Sequence, residues 1–242
     1  EGRPGADPAV RKALTTALDR DAITKVATGG RGVPSQGLVT IDPKPCGQDT
    51  VAGNLPGLDV EAAKAALDEA GWAAGADNMR AKGATKLEVT FIYPSAYGDS
   101  IAAAAELVRQ QWQAIGVNVK LQGVTSTQLN TIAFGTGAWD AGWVPVTVSL
   151  PSQLASFLSG PVPPDGANFA HIANKTYAEN AQKALVTGEV AAACELWNAA
   201  EKSLFTGFDL IPMFDTTTSM YMNKGALAYT GGELDATSIR LG

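Results

Sequence analysis

The chain of 242 residues carries 18 Lys and Arg against 24 Asp and Glu, a formal net charge of −6. That balance, with no basic run anywhere, argues against a nucleic-acid surface, which needs clustered Lys and Arg. No apolar stretch is long enough to span a bilayer, and the length suffices for one large core or two small ones. Cys46 and Cys194 are the two cysteines. Such a pair fits one disulfide or two separate buried thiols, and spacing does not choose between them. Glu1 to Asp7 reads as mid-protein sequence.

Asp7-Pro8 is a helix start, with Asp as N-cap and Pro at the first helical position. Val10, Ala13, Leu14, Ala17 and Leu18 follow at helical spacing. Asp21 is expected to cap a second helix through Ile23 and Val26 that stops at Gly29-Gly30. Residues 31–57 are Gly- and Pro-rich without periodicity, long for a structureless loop, and therefore either functional or packed across another surface. Asp59 opens a helix with Ala63, Ala66, Leu67 and Ala70 on one face and Gly71 as its stop. A polar connector spans 73–85. Leu87 to Tyr93 alternates as a strand, and Asp99 or Ser100 caps a long helix whose Ile101, Ala104, Ala105, Val108, Trp112 and Ile115 form an apolar stripe. Gly116 ends it, and Val117 to Leu121 is the next strand. This strand–helix–strand unit implies a parallel pair with a right-handed crossover.

Thr125 or Ser126 caps a short helix containing Leu129, Ile132 and Phe134. The stretch Trp139 to Leu158 is the expected meeting point with a ligand. Trp143 to Val148 reads as a strand and Pro151 as the first turn of a helix presenting Leu154, Phe157 and Leu158. The loop 160–166 that follows is rich in Pro and Gly, and a strand end opening into such a loop commonly holds a small-molecule site. Trp139 is read as core, and Trp143 is left open between core and site. Asn174 caps a helix through Tyr177, Ala181 and Ala184, and another runs from Glu189 to about Phe205. Residues 210–214 and 219–222 read as extended, and the tail has no strong periodicity.

Candidate chemistry is sparse. His171 is the one histidine, without a second ligand at metal spacing and without a Gly-x-Ser-x-Gly elbow, and it reads as a loop residue bonded to backbone. Gly29 to Gly32 and Gly135-Thr-Gly137 lack the strand–turn–helix context of a phosphate cradle. Neither a metal nor a cofactor is expected. Asp140, beside Trp139 and Trp143, has no evident carboxylate partner of the kind a glycosidase needs. Tyr93 and Tyr97, flanking a strand's carboxyl end, offer ring faces and hydroxyls to a ligand or cap the core.

In order along the chain, several segments resemble family 5 extracellular solute-binding proteins, the dipeptide-, oligopeptide- and nickel-binding components of ABC importers. Asp7-Pro-Ala-Val-Arg-Lys-Ala-Leu-Thr-Thr-Ala-Leu-Asp-Arg-Asp-Ala-Ile23 is similar to a family segment, as are Gly30-Arg-Gly-Val-Pro34 and Leu58 to Trp72. Trp112-Gln-Ala-Ile-Gly-Val-Asn-Val119, Trp139-Asp-Ala141 and Ile211-Pro-Met-Phe214 continue the likeness. The resemblance covers the family's C-terminal half only. It implies an α/β fold, a lobe like those of type II periplasmic binding proteins with a mixed sheet flanked by helices. Residues 1–209 would form that ligand-binding lobe, and 210–242 would return toward a missing N-terminal lobe of the same protein.

The resemblance further implies no catalysis, capture of a small-molecule solute by closure of two lobes, delivery to a membrane permease, and a monomer. The place would be extracellular, anchored to the outer face of the cytoplasmic membrane as a lipoprotein, or periplasmic. The ligand-binding residues would be Trp143, Tyr97, Tyr93, Val146, Asn168, Phe169 and Gln36. In peptide binders an Asp on this strand pairs with the ligand's α-amino group, and here Val146 stands in its place. Burying an ammonium against Val costs several kcal/mol, so a carbohydrate-like or other neutral solute becomes as plausible as a peptide. Asp165, on a loop mobile enough to reach in, keeps a peptide possible. Export also favours a Cys46–Cys194 disulfide. The rival readings are a glycoside or peptide hydrolase using Asp140 and a sensor ectodomain reusing the fold.

Overall fold

The computed structural model describes residues 3–217, 223–230 and 233–241. Helix α1 (Pro8–Thr16) begins as the sequence dictates: the Asp7 carboxylate accepts the Ala9 N–H at 2.9 Å, and Pro8 occupies the first turn. Helix α2 (Arg20–Thr28) is capped by Asp19, which accepts the Ala22 N–H, rather than by Asp21. Asp21 instead lies in the first turn, where its charge favours the helix dipole. Gly29, left-handed at φ 61°, closes the helix.

The long 31–57 segment has no regular structure beyond β1 (Val33–Pro34) and packs across the helices described below. Helix α3 (Val60–Glu69) takes Asp59 as its cap. The connector expected after Trp72 is instead a small antiparallel sheet of β2 (Ala73–Ala74), β3 (Arg80–Lys82) and β4 (Thr85–Lys86). Its strands are too short for alternation to show. What holds it is Arg80, buried, whose guanidinium donates to the Ile115 and Trp72 carbonyls and to Asp68.

Strand β5 (Glu88–Pro94), helix α4 (Asp99–Gln113) and strand β6 (Asn118–Val124) form the expected unit, with β5 and β6 parallel from Glu88–Asn118 to Pro94–Val124. No side chain caps α4, which follows directly on Gly98. Its predicted stripe is buried throughout. Gly116, at φ 89°, makes the turn into β6, and a Cβ there would sit 2.7 Å from Arg80 Cγ and 2.8 Å from the Asn78 carbonyl oxygen. Helix α5 (Ser126–Thr131) carries a capping box between Thr125 and Gln128 and widens into a π-type turn over Ile132–Thr136. Strand β7 (Ala141–Gly142) then joins β5 on its other side, also parallel. The central sheet thus runs β6-β5-β7.

Trp143 to Val148 is not a strand. Its residues continue past β7 without ladder partners, Pro145 having no N–H to give. After a tight turn at Pro151–Leu154 comes α6 (Ala155–Leu158), then α7 (Lys175–Val186), capped by Asn174, and α8 (Val190–Thr206), capped by Glu189. Strand β8 (Phe214–Asp215) pairs antiparallel with β1. The tail read as patternless is a hairpin of β9 (Gly225–Thr230) and β10 (Glu233–Leu241), whose Tyr229, Leu234 and Ile239 are exposed. The extended segment expected at 219–222 lies outside the described residues.

The α/β class therefore stands, with the strands divided between a parallel sheet and small antiparallel ones rather than joined in one mixed sheet. Two apolar clusters form the core. The larger unites α1 to α4 with β5 and β6; the smaller unites α7, α8, Leu38, Leu158 and Ile172. Arg11 joins them, donating from α1 to the Gly207 and Phe208 carbonyls and to Asp209 just past α8. Cys46 and Cys194 form a disulfide, Cα atoms 4.9 Å apart, tying the long loop to α8. Among the described residues no helix is long and apolar enough to cross a membrane.

Candidate functional site

The chain leaves β5 toward β6 on one side and returns as β7 on the other, so the carboxyl end of β5 is a switch point, where open α/β sheets bind ligands. Register pairs Tyr93 with Gly123 and Ile92 with Gly142 at that edge, and Trp143 follows Gly142 with its N–H on the Ile92 carbonyl. Strand β7 approaches β5 so closely there that a Cβ on Gly142 would meet Ile92 Cγ1 at 2.4 Å.

Trp143 is half-buried. Its ring stands edge-on to Phe91 at 5.2 Å, Phe91 stands edge-on to Trp112 at 5.5 Å, and Phe214 flanks Trp143 at 6.5 Å. This aromatic file runs from the core to the site edge, and the Trp112 indole N–H is fixed on the Leu14 carbonyl. Trp143 is thus an anchored ring with an accessible part. Tyr93 packs partly against the core beside Gly123. Tyr97, in the turn Ser95–Tyr97, is 61% exposed.

Phe169 lies in a separate aromatic group, with Phe134 at 5.3 Å, Trp139 at 6.1 Å and Phe157 at 6.4 Å. Trp139 is therefore half-buried against Phe169 and not a core residue as expected, because the turn at Gly137 directs it away from the sheet interior. Phe134 and Phe157, read from the sequence only as apolar helix residues, belong to this group. Asn168 is 2% exposed, and its amide is spent on the loop: it donates to the Gly160 and Ile172 carbonyls and accepts the Ile172 N–H. Its side chain shapes the loop that presents Phe169. Gln36 is exposed, its carbonyl accepting the Thr50 N–H.

Val146 is half-buried on the irregular 143–148 segment, so the pleat that would set Val144 and Val146 on one face does not apply. The segment is held at its ends only. Trp143 N–H donates to Ile92, and Val148 exchanges bonds with Thr40 and Ile41 on the long loop. Asp165 sits in a turn closed by its own and Gly166's N–H on Val162, and Asn168 pins the adjoining chain to Pro161 and Gly160. The loop is thus more restrained than its composition suggested.

Asp140 has both carboxylate oxygens occupied. One accepts the Thr90 N–H at 2.8 Å and the other the Arg3 guanidinium at 3.2 Å. The residue fastens the strand edge to the N-terminal turn. His171 is exposed in a left-handed conformation at φ 54°, its N–H on the Asn168 carbonyl. No cluster of three or more His, Cys, Asp or Glu fit to hold a metal occurs among the described residues.

The carboxylate that sequence reasoning missed is Glu201 on α8, 9% exposed. It accepts the Leu38 N–H at 3.0 Å and the Thr50 hydroxyl. Burial pushes its carboxyl above the usual Glu range, and the bonds from Thr50 and Leu38 pull against that. Leu38, Pro151, Leu154, Leu158, Tyr177 and Trp197 surround it about a cavity of roughly 10 Å³, the space of one water. The signal was present: Trp197, Glu201, Leu204 and Phe205 share one helical face, and only Glu201 among them is charged.

The parallel switch point thus carries an anchored aromatic edge, and its nearest carboxylate, Asp140, is consumed by structure. Residues 1–165 match the bacterial extracellular solute-binding proteins, family 5 Middle, and the chain belongs to that family. It is 33% identical over 125 residues to Protein XP55 of Streptomyces lividans, a match covering 51% of this chain and 22% of that protein. The fold is similar to that of the oligopeptide-binding protein AppA from Bacillus subtilis, solved with a nonapeptide. There the identity is 22% and the TM-score 0.73, over 88% of this chain and 42% of that one. A substrate-binding protein from Microbacterium hydrocarbonoxydans, solved with 4-hydroxybenzoate hydrazide, matches at 21% identity and TM-score 0.75, over 100% of this chain and 48% of that one. The fold is that of a type II periplasmic binding protein lobe, and the chain spans less than half the length of each of these relatives.

Proposed function

We propose that this chain is the second lobe of the solute-capturing component of an ABC importer, non-catalytic and closing on its ligand together with an N-terminal lobe of the same protein. The observation that carries this reading is the row of rings at the β5 edge, Trp143 and Tyr93 with Tyr97 just beyond, in a chain of this family. Residues 210–242 would form the return segment, a role that suits a hairpin with exposed Tyr229, Leu234 and Ile239. The protein would work as a monomer at the outer face of the cytoplasmic membrane, anchored or periplasmic, handing solute to a membrane permease.

Trp143, Tyr97 and Phe169 would contact the ligand, Val146 would face it, and Gln36 would reach it from the long loop, with Asn168 holding Phe169 in place. The two similar structures hold a nonapeptide and an aryl hydrazide, so the fold accommodates unlike ligands and the local residues must decide. With Val146 in the place of the peptide binders' Asp and Asp140 spent, an acid for an α-ammonium would have to come from Asp165, whose turn is held by backbone bonds to Val162. The preferred ligand is accordingly a neutral, ring-bearing solute, carbohydrate-like or aryl. Native mass spectrometry of the whole protein, freshly purified, then calorimetry with di- to pentapeptides and oligosaccharides, tests this. A retained neutral solute is expected, its affinity falling tenfold or more, about 1.4 kcal/mol, in Trp143→Ala. A tight peptide complex would overturn the ligand class. Hydrolysis of glycosides or peptides abolished by Asp140→Asn would overturn binding without catalysis.

A further inference from the structure

We infer that Glu201 is a positioning residue for the 143–148 segment, acting through the long loop. Three links carry this. Glu201 on α8 takes the Leu38 N–H and the Thr50 hydroxyl, so one oxygen grips the loop at two points 12 residues apart in sequence. Between those points, Thr40 and Ile41 donate their N–H groups to the Val148 carbonyl at 3.0 and 3.1 Å, and Thr40 Oγ1 accepts the Val148 N–H at 3.3 Å. Val148 is the far end of the segment whose near end, Trp143, hangs on β5.

Without the loop, residues 144–148 would have their sole backbone anchor at Trp143, and Val146 would have no fixed place. The grip is close-fitting. A Cβ on Gly37 would lie 2.7 Å from Glu201 Oε1 and 3.2 Å from Thr50 Oγ1. The Cys46–Cys194 disulfide fastens the same loop to the same helix, nearer its N-terminal end. It constrains residue 46, outside the Leu38–Ile41 stretch that meets Val148, so the disulfide alone does not set the register of that contact. The coupling to ligand binding rests on the function proposed above. The loop-to-segment coupling does not, and it is measurable with no ligand present.

Hydrogen exchange read by mass spectrometry on this chain, disulfide intact, tests it, since local opening sets exchange rates. Glu201→Ala and Gly37→Ala are each expected to speed exchange about tenfold or more at residues 38–41 and also at Val148, leaving strands β5 and β6 unchanged. Glu201→Gln, which keeps the acceptor oxygen, should restore protection at both places. Faster exchange in the loop with Val148 unchanged would overturn the inference, as would Glu201→Gln behaving like Glu201→Ala. If Glu201→Ala does not fold, Gly37→Ala decides by the same two regions. A whole protein that binds no solute would defeat the proposed function and leave this coupling standing.

Discussion

Glu201 occupies a position where an apolar residue would complete the α8 face. Its carboxylate persists there because the long loop brings it two donors. Truncation to Ala leaves the buried Leu38 N–H without its acceptor and the Thr50 hydroxyl with only its longer bond to the Gln36 carbonyl, a loss of about 1–3 kcal/mol. The pH dependence has a definite sign. Burial raises the folded-state pKa above its unfolded value, so the folded chain holds the proton more tightly. The resulting stabilisation is full below the ordinary Glu range and is lost as pH rises through the raised value. The Tyr177 hydroxyl is the titratable group facing it from α7, and burial with Glu201's charge drives its pKa upward, away from neutral pH. Glu201→Gln should therefore match or exceed the parent's melting temperature at pH 8 and remove this residue's share of any gain on acidification to pH 5. Calorimetric melts across that range check it, and an unchanged pH profile in Glu201→Gln would assign the dependence to other groups.

Among the elements, the β5–α4–β6 unit is the frame, and the α4–β6 turn is its tightest point. Gly116 has a positive φ and lies under the Arg80 side chain, whose guanidinium ties β3 to α3 and to the end of α4. Gly116→Ala should destabilise by about 1–3 kcal/mol, from left-handed strain and displacement of Arg80. The check is urea unfolding, in which a midpoint unchanged within error would refute the close fit. Strand β7 shows a different economy. Two residues suffice to place Trp143 beside Tyr93 because Gly142 lets the backbone press on Ile92, and the aromatic file behind Trp143 holds the ring where the strand ends.

For the whole molecule, the two cores are tied by Arg11 between α1 and the turn after α8, while the Cys46–Cys194 bridge fastens the long loop to α8 within the smaller core. The bridge closes a separation of 148 residues, which in the chain-entropy picture stabilises by about 5 kcal/mol, with measured values for such bridges commonly lower. Thiol titration of the denatured, non-reduced chain should find no free thiol. Replacing both cysteines by Ser should lower the stability of the α7–α8 region more than that of the β5–β6 sheet, as exchange in the two regions would show. Two titratable thiols would refute the bridge.

Much of this was determined by the sequence alone. Caps such as Asp7, Asp59, Thr125 and Asn174, the α4 stripe and the parallel β5–β6 pair follow from periodicity and local hydrogen bonding, which act over a few residues and leave a mark at that spacing. Segment order was legible too, and with it the family. Tertiary structure alone decided what depends on partners distant along the chain. The β2–β4 sheet and the β9–β10 hairpin come from pairings too short or too exposed to alternate. Trp143 to Val148 carries strand-forming residues, yet no neighbour offers it a ladder, and Pro145 has no N–H to complete one. Asp140, the acid of the rival hydrolase reading, and Asn168, expected at the ligand, are both bound to backbone groups that fold back onto them from elsewhere in the chain. The grip of Glu201 on Leu38 and Thr50 spans 163 and 151 residues. No local pattern encodes such a contact, because the energy that selects it exists only once the loop has packed on the helix.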